Sequence, residues 1–157
     1  MKIEDIEVGI VNSFSCKEIK GNMALIKELE RNYGEPSDLL DESRPFVCIG
    51  HQGELSQWAE ITTEDRQERL LIKPEWRTWQ DGDARHKPTV RWKREIQYLH
   101  GAVFEGPDDV WAKLATDHNS AGNYKIVTEE GLKAIRQQLT PQIKDPLFSW
   151  EPTASQD

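Results

Sequence analysis

The chain has 157 residues, of which 36% are hydrophobic and 31% charged, and its formal net charge is -8. This length fits one ordinary domain with a buried core, and the composition is too apolar for a disordered chain. No apolar run is long enough to cross a bilayer, and the acidic first residues lack the basic flank and apolar stretch of a secretory signal. We therefore expect a cytoplasmic protein that does not bind a membrane.

The first half of the chain predicts two kinds of element. Alternating apolar residues over 6–14 predict a strand, and apolar residues at helical spacing predict a helix over 22–33, with Asn22 as its cap. Two short apolar runs, 46–49 and 55–61, are separated by a polar turn. Such a pair predicts a β-hairpin.

The second half predicts two further strands, over 69–72 and 89–98, and then two helices. The first helix, over 105–115, has Pro107 at its first helical position, a place that suits proline. The second, over 128–139, has Thr128 as its cap and apolar residues spaced for burial.

These elements predict a single α+β domain over residues 1–140, built on a compact and mostly antiparallel sheet. Residues 141–157 are rich in proline and polar side chains, and they predict a tail without periodic structure. Cys48 lies inside an apolar run, where a buried free thiol is expected.

Metal chemistry has no support in the sequence. The four histidines fall in separate segments, and no Cys or His pair has the spacing of metal ligands. No glycine-rich phosphate loop, nucleophile elbow or zincin motif is present. We therefore expect neither a metal nor a cofactor.

One segment suggests binding to a nucleic acid. Residues 66–94 contain nine basic and four acidic residues, although the whole chain is acidic. Cations neutralise phosphates and aromatic faces stack on unpaired bases, so a mixture of the two suits single strands. Alternatively, the tryptophans are core or rim residues and the cations pair with acids elsewhere. The candidate binding residues are Trp76, Arg77, Trp79, Arg85, Lys87, Arg91, Lys93 and Arg94.

A second pattern is an Arg-Pro that opens one strand, in RPFVCIG, and a Thr pair that closes the next, in AEITTE. This pattern resembles the MazF/PemK family of ribonuclease toxins, which have the CcdB/Kid fold. The resemblance implies a small SH3-like barrel or sheet with an inserted helix at 22–33 and C-terminal helices. It extends weakly to a first strand ending near Phe14 and to residues 94–99, which are similar to the family's Gln-Ile strand. The family's early Gly-Asp is absent, and Glu60 stands in place of a proline.

The resemblance implies metal-independent cleavage of single-stranded RNA by attack of a ribose 2'-hydroxyl on the neighbouring phosphate. Arg44 would then stabilise negative charge and Thr62 would donate a hydrogen bond to a phosphate oxygen. His51 and Glu60 are the candidates for the group that removes the proton. A cognate antitoxin protein and a second copy of the chain are the implied protein partners.

Two other classes of function remain open from the sequence. A non-catalytic nucleic-acid reader needs the basic, tryptophan-rich strip of residues 76–94 but neither Arg44 nor Thr62. A protein-interaction module would instead use the acidic residues of 38–42 and the tail to receive a basic partner.

Overall fold

The protein, described here by a computed structural model, is built from short strands and short helices. The described residues are 1–22, 24–29, 42–65, 69–86, 90–117 and 122–139. The strands are β1 (Ile10–Ser15), β2 (Lys27–Leu29), β3 (Ser43–Gln52), β4 (Leu55–Thr62), β5 (Leu70–Leu71), β6 (Arg77–Trp79), β7 (Tyr98–Pro107) and β8 (Lys125–Val127). The helices are α1 (Cys16–Gly21), α2 (Arg91–Arg94), α3 (Asp108–Leu114) and α4 (Glu129–Leu139). The predicted tail, 141–157, lies outside the described residues.

All eight of these strands belong to one antiparallel sheet. Its order is β2, β7, β4, β3, β1, β8, β6, and β5 also pairs with β7. Within the described residues the end strands β2 and β6 do not pair with one another, so the sheet is open. The predicted α+β class and antiparallel sheet are confirmed, and the hairpin of β3 and β4 lies inside the sheet.

Both faces of the sheet are buried: side chains alternate between the faces along each strand, and each face packs into its own hydrophobic cluster. In β3, Phe46 belongs to one hydrophobic cluster and its neighbour Val47 to the other. Helices α1 and α3 contribute to the cluster of Phe46, which is rich in aromatic rings. Helix α4 contributes three residues to the second cluster: Leu132, Ile135 and Leu139.

The hairpin and the last helix were predicted correctly. Strands β3 and β4 pair antiparallel as expected; β3 is longer than its apolar run suggested, and β4 ends at Thr62, the first residue of the threonine pair. Helix α4 begins after Thr128, whose hydroxyl accepts a hydrogen bond from the backbone N–H of Gly131 at 3.2 Å. Helix α3 also exists, but it begins at Asp108, and Pro107 is its cap rather than its first residue.

The helix predicted over 22–33 is wrong where the structure describes it. Lys27–Leu29 is a strand that pairs with β7, so backbone pairing at the sheet overrides the helical spacing. Asn22 does not open a helix but closes α1, where its side-chain amide donates to the carbonyl of Glu18 at 2.8 Å. Residues 30–33 lie outside the described part.

The first strand is shorter than predicted. The expected span was 6–14, but β1 begins at Ile10. Gly9 has a φ of 100°, in the left-handed region that favours glycine, and Ile3–Asp5 form a 3₁₀ turn. The chain therefore turns just before the sheet instead of extending into it.

The strand predicted over 89–98 is also wrong. Residues 91–94 form the short helix α2, and β7 begins only at Tyr98. Of residues 94–99, which resemble the family's Gln-Ile strand, only Tyr98 and Leu99 therefore lie in a strand. Strand β7 was missed because both of its faces are buried, which removes the alternation of polar and apolar residues.

The two cysteines are buried free thiols, as predicted for Cys48. Burial, with a smaller contribution from Glu60, raises the pKa of Cys16 to about 11, and burial raises that of Cys48 further.

The thiolate is the reactive form of a cysteine. We predict that a thiol reagent at pH 8 labels neither cysteine in the folded protein and labels both in denaturant. Rapid labelling of the folded protein would contradict the buried positions.

Because the pKa of Cys16 is raised in the folded state, this thiol also links stability to pH. The stability of the folded state that is linked to the Cys16 thiol is fully present below the unfolded pKa of about 9. It is lost as the pH rises toward 11, because only the thiol of the unfolded chain ionises in that range. A Cys16→Ala variant should therefore lose less stability than the wild type between these pH values.

Candidate functional site

The strand ends of β3 and β4 border a cleft with a volume of about 370 Å³. Phe46 pairs with Glu60, so Arg44, two residues before Phe46, and Thr62, two residues after Glu60, lie at the same end of the hairpin. Both Arg44 and Thr62 line the cleft. The structure therefore brings together the two residues that the resemblance made candidates for catalysis.

The Arg44 and Thr62 side chains are oriented by short local contacts. The guanidinium of Arg44 forms an ion pair with Glu42 at 2.8 Å, and the Arg44 side chain is 22% exposed. The hydroxyl of Thr62 accepts a hydrogen bond from the backbone N–H of Glu64 at 3.2 Å. This contact uses an oxygen lone pair of Thr62, so the hydroxyl hydrogen can still be donated to a ligand.

Charged side chains around the cleft come in equal numbers of both signs among the described residues: Glu42, Arg44, Arg91, Glu95, Asp117 and Lys125. Arg91 pairs with Glu95 at 2.9 Å, as Arg44 pairs with Glu42. Asp117 accepts a hydrogen bond from the backbone N–H of Ser13 at 3.2 Å. The cleft is therefore locally neutral within a chain of net charge -8, and two of its cations, Arg44 and Arg91, already have carboxylate partners.

Neither candidate for proton removal lies in this cleft. His51 is at the other end of β3, seven residues from Arg44, which corresponds to about 23 Å along a strand. Its ring nitrogen Nε2 contacts Asp108 at 2.6 Å. Glu60 is buried and lies 3.7 Å from His100, and it does not line the cleft.

Sequence reasoning missed the carboxylates that do line the cleft. Glu42 is two residues before Arg44, so an extended chain places both side chains on the same side, which was a readable signal. Glu95 and Asp117 had no such signal, because α2 and the chain after α3 bring them to the cleft only in the folded protein.

The tryptophans of the basic strip are buried. Trp76, Trp79 and Trp92 are 6%, 5% and 3% exposed and belong to the second hydrophobic cluster. The indole N–H of Trp92 donates to the carbonyl of Thr78 at 2.8 Å, and the ring of Trp79 stacks on that of His86. In this structure the rings present no open face on which a base could stack.

The cations of the strip have different environments. Arg91 lines the cleft, and Arg94 is exposed. Arg85 is exposed and pairs with Asp81 at 2.8 Å, and Lys93 pairs with Asp83 at 3.0 Å. Lys87 lies outside the described residues. Of the described residues of the strip, the structure therefore brings only Arg91 and the buried Trp92 to the cleft.

Arg77 is buried and holds the segment that carries Arg91 and Glu95. Its guanidinium donates to the backbone carbonyls of Trp92, at 2.8 Å, and Glu95. Burial lowers the pKa of Arg77 from its usual value, and nearby Glu75 opposes that shift. Arginine nevertheless stays protonated in proteins, so both hydrogen bonds are charge-assisted.

Removing this side chain should destabilise the fold. We predict that Arg77→Met lowers the free energy of unfolding by roughly 1–3 kcal/mol, because one buried carbonyl and one partly buried carbonyl lose their donor. Urea unfolding measures the effect, with Arg94→Met as the matched control at an exposed arginine, where a change within about 0.5 kcal/mol is expected. Equal stability of the Arg77 and wild-type proteins would contradict this role.

A second cavity, of about 430 Å³, lies at the other end of the hairpin, where His51 meets Asp108. Within the described part of the chain, no group of three or more His, Cys, Asp or Glu side chains could hold a metal ion. In that same part, no helix is long and apolar enough to cross a membrane.

Comparisons with protein-family models, with curated proteins and with solved structures gave no match. The assignment of a function therefore rests on the geometry of the site.

Proposed function

We propose that this protein is a metal-independent endoribonuclease that cleaves single-stranded RNA in the cleft between the ends of β3 and β4. The observation that carries the proposal is that Arg44 and Thr62 line one cleft together with Arg91 and Lys125. A toxin-like, SH3-related fold with an antitoxin partner is the finer form of the proposal, and it rests on the sequence resemblance.

The reaction is an internal transfer of the phosphoryl group. The ribose 2'-oxygen attacks the neighbouring phosphorus, the bond from phosphorus to the 5'-oxygen breaks, and the products are a 2',3'-cyclic phosphate and a 5'-hydroxyl. The 2'-hydroxyl proton leaves to a base, and the 5'-oxygen takes up a proton. The RNA itself supplies the nucleophile, so the protein has to position the phosphate and stabilise charge.

Arg44 and Thr62 supply the two contacts that this reaction needs at the phosphate. A guanidinium binds two phosphate oxygens at once and stays charged, so Arg44 can stabilise the extra negative charge of the transition state. For the same reason Arg44 cannot act as the base. The Thr62 hydroxyl hydrogen is free to bind a third oxygen, because its present contact uses only a lone pair.

An exchange of ion-pair partners can supply the base. A phosphate that binds Arg44 displaces the carboxylate of Glu42, which now sits 2.8 Å from the guanidinium. The displaced carboxylate remains beside the incoming RNA and can accept the 2'-hydroxyl proton. General bases must lie within hydrogen-bond reach of the proton that they remove, a condition that His51 and Glu60 do not meet here.

Binding of RNA without cleavage is the second candidate function. The observation that favours it is that Arg44 and Arg91 both have carboxylate partners, an arrangement that also suits reversible exchange with phosphates. Such a reader would need the cations of the cleft but not the Thr62 hydroxyl.

The ends of the RNA products test the proposal. Mass spectrometry should find 2',3'-cyclic phosphate and 5'-hydroxyl ends after incubation with single-stranded RNA, and a fully 2'-O-methylated strand should bind without being cut. Thr62→Val should slow cleavage, and Thr62→Ser, which keeps the hydroxyl, should retain most of the rate. Products with 3'-hydroxyl ends would refute the mechanism, and binding without any cleavage would support the second candidate.

A further inference from the structure

Gln97 lines the same cleft and carries a buried side-chain oxygen without a partner. The residue is 5% exposed, and its Oε1 makes no hydrogen bond in the described structure. Its backbone is held separately, because the Gln97 carbonyl accepts from the N–H of Ile72 at 2.8 Å. Folded proteins rarely leave a buried polar atom unpaired, because the loss costs free energy. A ligand that donates a hydrogen bond would satisfy this oxygen.

The register of the sheet places Gln97 beside the proposed phosphate site. Gln97 directly precedes Tyr98, and Tyr98 is the strand partner of Thr62. Buried apolar side chains of Ile61 and Trp92 line the same cleft. A group bound at Gln97 is therefore next to a phosphate bound at Thr62, which is the position of a neighbouring nucleotide.

We infer that Gln97 reads the base of that nucleotide and prefers one with an amino donor beside a ring-nitrogen acceptor: adenine first, and then cytosine, which offers that pair on one edge only. A glutamine amide offers an acceptor and a donor side by side, and rotation about its last bond exchanges them. Adenine presents an amino donor beside a ring-nitrogen acceptor on both of its exposed edges, so it matches the amide whichever edge enters the cleft. The amino group supplies the donor that Oε1 lacks. This inference names the substrate preference of the proposed endoribonuclease and rests on that function.

The test measures binding rather than cleavage. Fully 2'-O-methylated oligouridines carry one variable base, which is either adenine or purine without the amino group. The dissociation constants of the two strands are compared by fluorescence anisotropy. The wild type should bind the adenine strand about 5- to 150-fold more tightly than the purine strand, the range for one good base contact. Equal affinity of the wild type for these two strands would overturn the inference.

Two variants assign the preference to Gln97. Gln97→Leu, similar in volume but without polar atoms, should bind the adenine and purine strands equally. Gln97→Glu keeps an acceptor and should retain the preference for the amino group. Gln52→Leu is the matched control and should keep the wild-type preference. Gln52 lies at the end of β3 that is remote from the cleft, and it also has a buried Oε1 without a partner among the described residues. Selectivity that survives in Gln97→Leu would contradict the assignment.

The failure of this inference can be told apart from the failure of the proposed function. Adenine selectivity in binding together with intact RNA after incubation would leave Gln97 as a base reader and refute the ribonuclease. Cleavage without base preference would refute the role of Gln97 alone. If Gln97→Leu does not fold, the comparison of adenine with purine on the wild type still decides whether the amino group is preferred, and equal affinity would overturn the inference.

Discussion

Replacing Arg44 with alanine is expected to lower the rate constant of RNA cleavage by about 10²–10³-fold, the range for loss of one donor to a developing oxyanion. The effect should fall on the chemical step much more than on binding, because the charge that Arg44 meets grows only in the transition state. Single-turnover kinetics with saturating protein measure that step directly, and anisotropy measures the affinity for 2'-O-methylated RNA.

Arg94→Ala is the matched control for this experiment, because Arg94 is an exposed arginine that does not line the cleft. It should keep nearly the full rate. A loss of affinity in Arg44→Ala that accounts for its whole loss of rate would make Arg44 a binding residue only. An unchanged rate in Arg44→Ala would place the reaction elsewhere.

Replacing Trp58 with alanine is expected to give the largest loss of stability, about 3–5 kcal/mol, because it removes a large buried ring. Trp58 is fully buried, and its ring lies 4.9 Å from that of Phe14 and 5.7 Å from that of Trp111. Its indole N–H donates to the Ser56 hydroxyl at 2.9 Å. At this chain length the expected loss corresponds to a fall in Tm of roughly 6–20 °C.

Calorimetry or thermal circular dichroism measures this change, and two variants serve as references. Trp58→Phe keeps an aromatic ring and should lose much less, whereas Leu25→Ala removes an exposed side chain and should change Tm little. A Trp58→Ala protein that unfolds within 2 °C of the wild type would contradict the aromatic packing of the first cluster.

The parts of the fold that could be predicted are those with local signals. The hairpin of β3 and β4 has two apolar runs and a polar turn, and α4 has a capping threonine with an apolar stripe behind it. Strand β2 and helix α2 could not be predicted, because pairing with β7 and burial of Trp92 depend on residues distant in sequence. The same dependence explains why a helical pattern after Asn22 gave a strand.

The candidate site shows the same division. Arg44 and Thr62 could be paired from the sequence because Arg44 lies at the start of the first strand of the hairpin and Thr62 at the end of the second. The tryptophans of the basic strip were expected to stack on bases, but they are buried. Their basic neighbours in sequence gave no sign of this burial, because it is a property of the folded chain. Gln97 could not be singled out from the sequence, because its proposed role depends on a buried oxygen that has no partner among the described residues of the folded chain.

The most direct test of the central claim is the initial rate of single-stranded RNA cleavage by the purified protein in an excess of chelator. Metal-independent catalysis predicts the same rate with chelator and with added magnesium, together with loss of most of the activity in an Arg44→Ala protein purified in parallel. Cleavage that appears only after a divalent metal is restored, or that persists unchanged in Arg44→Ala, would contradict the claim.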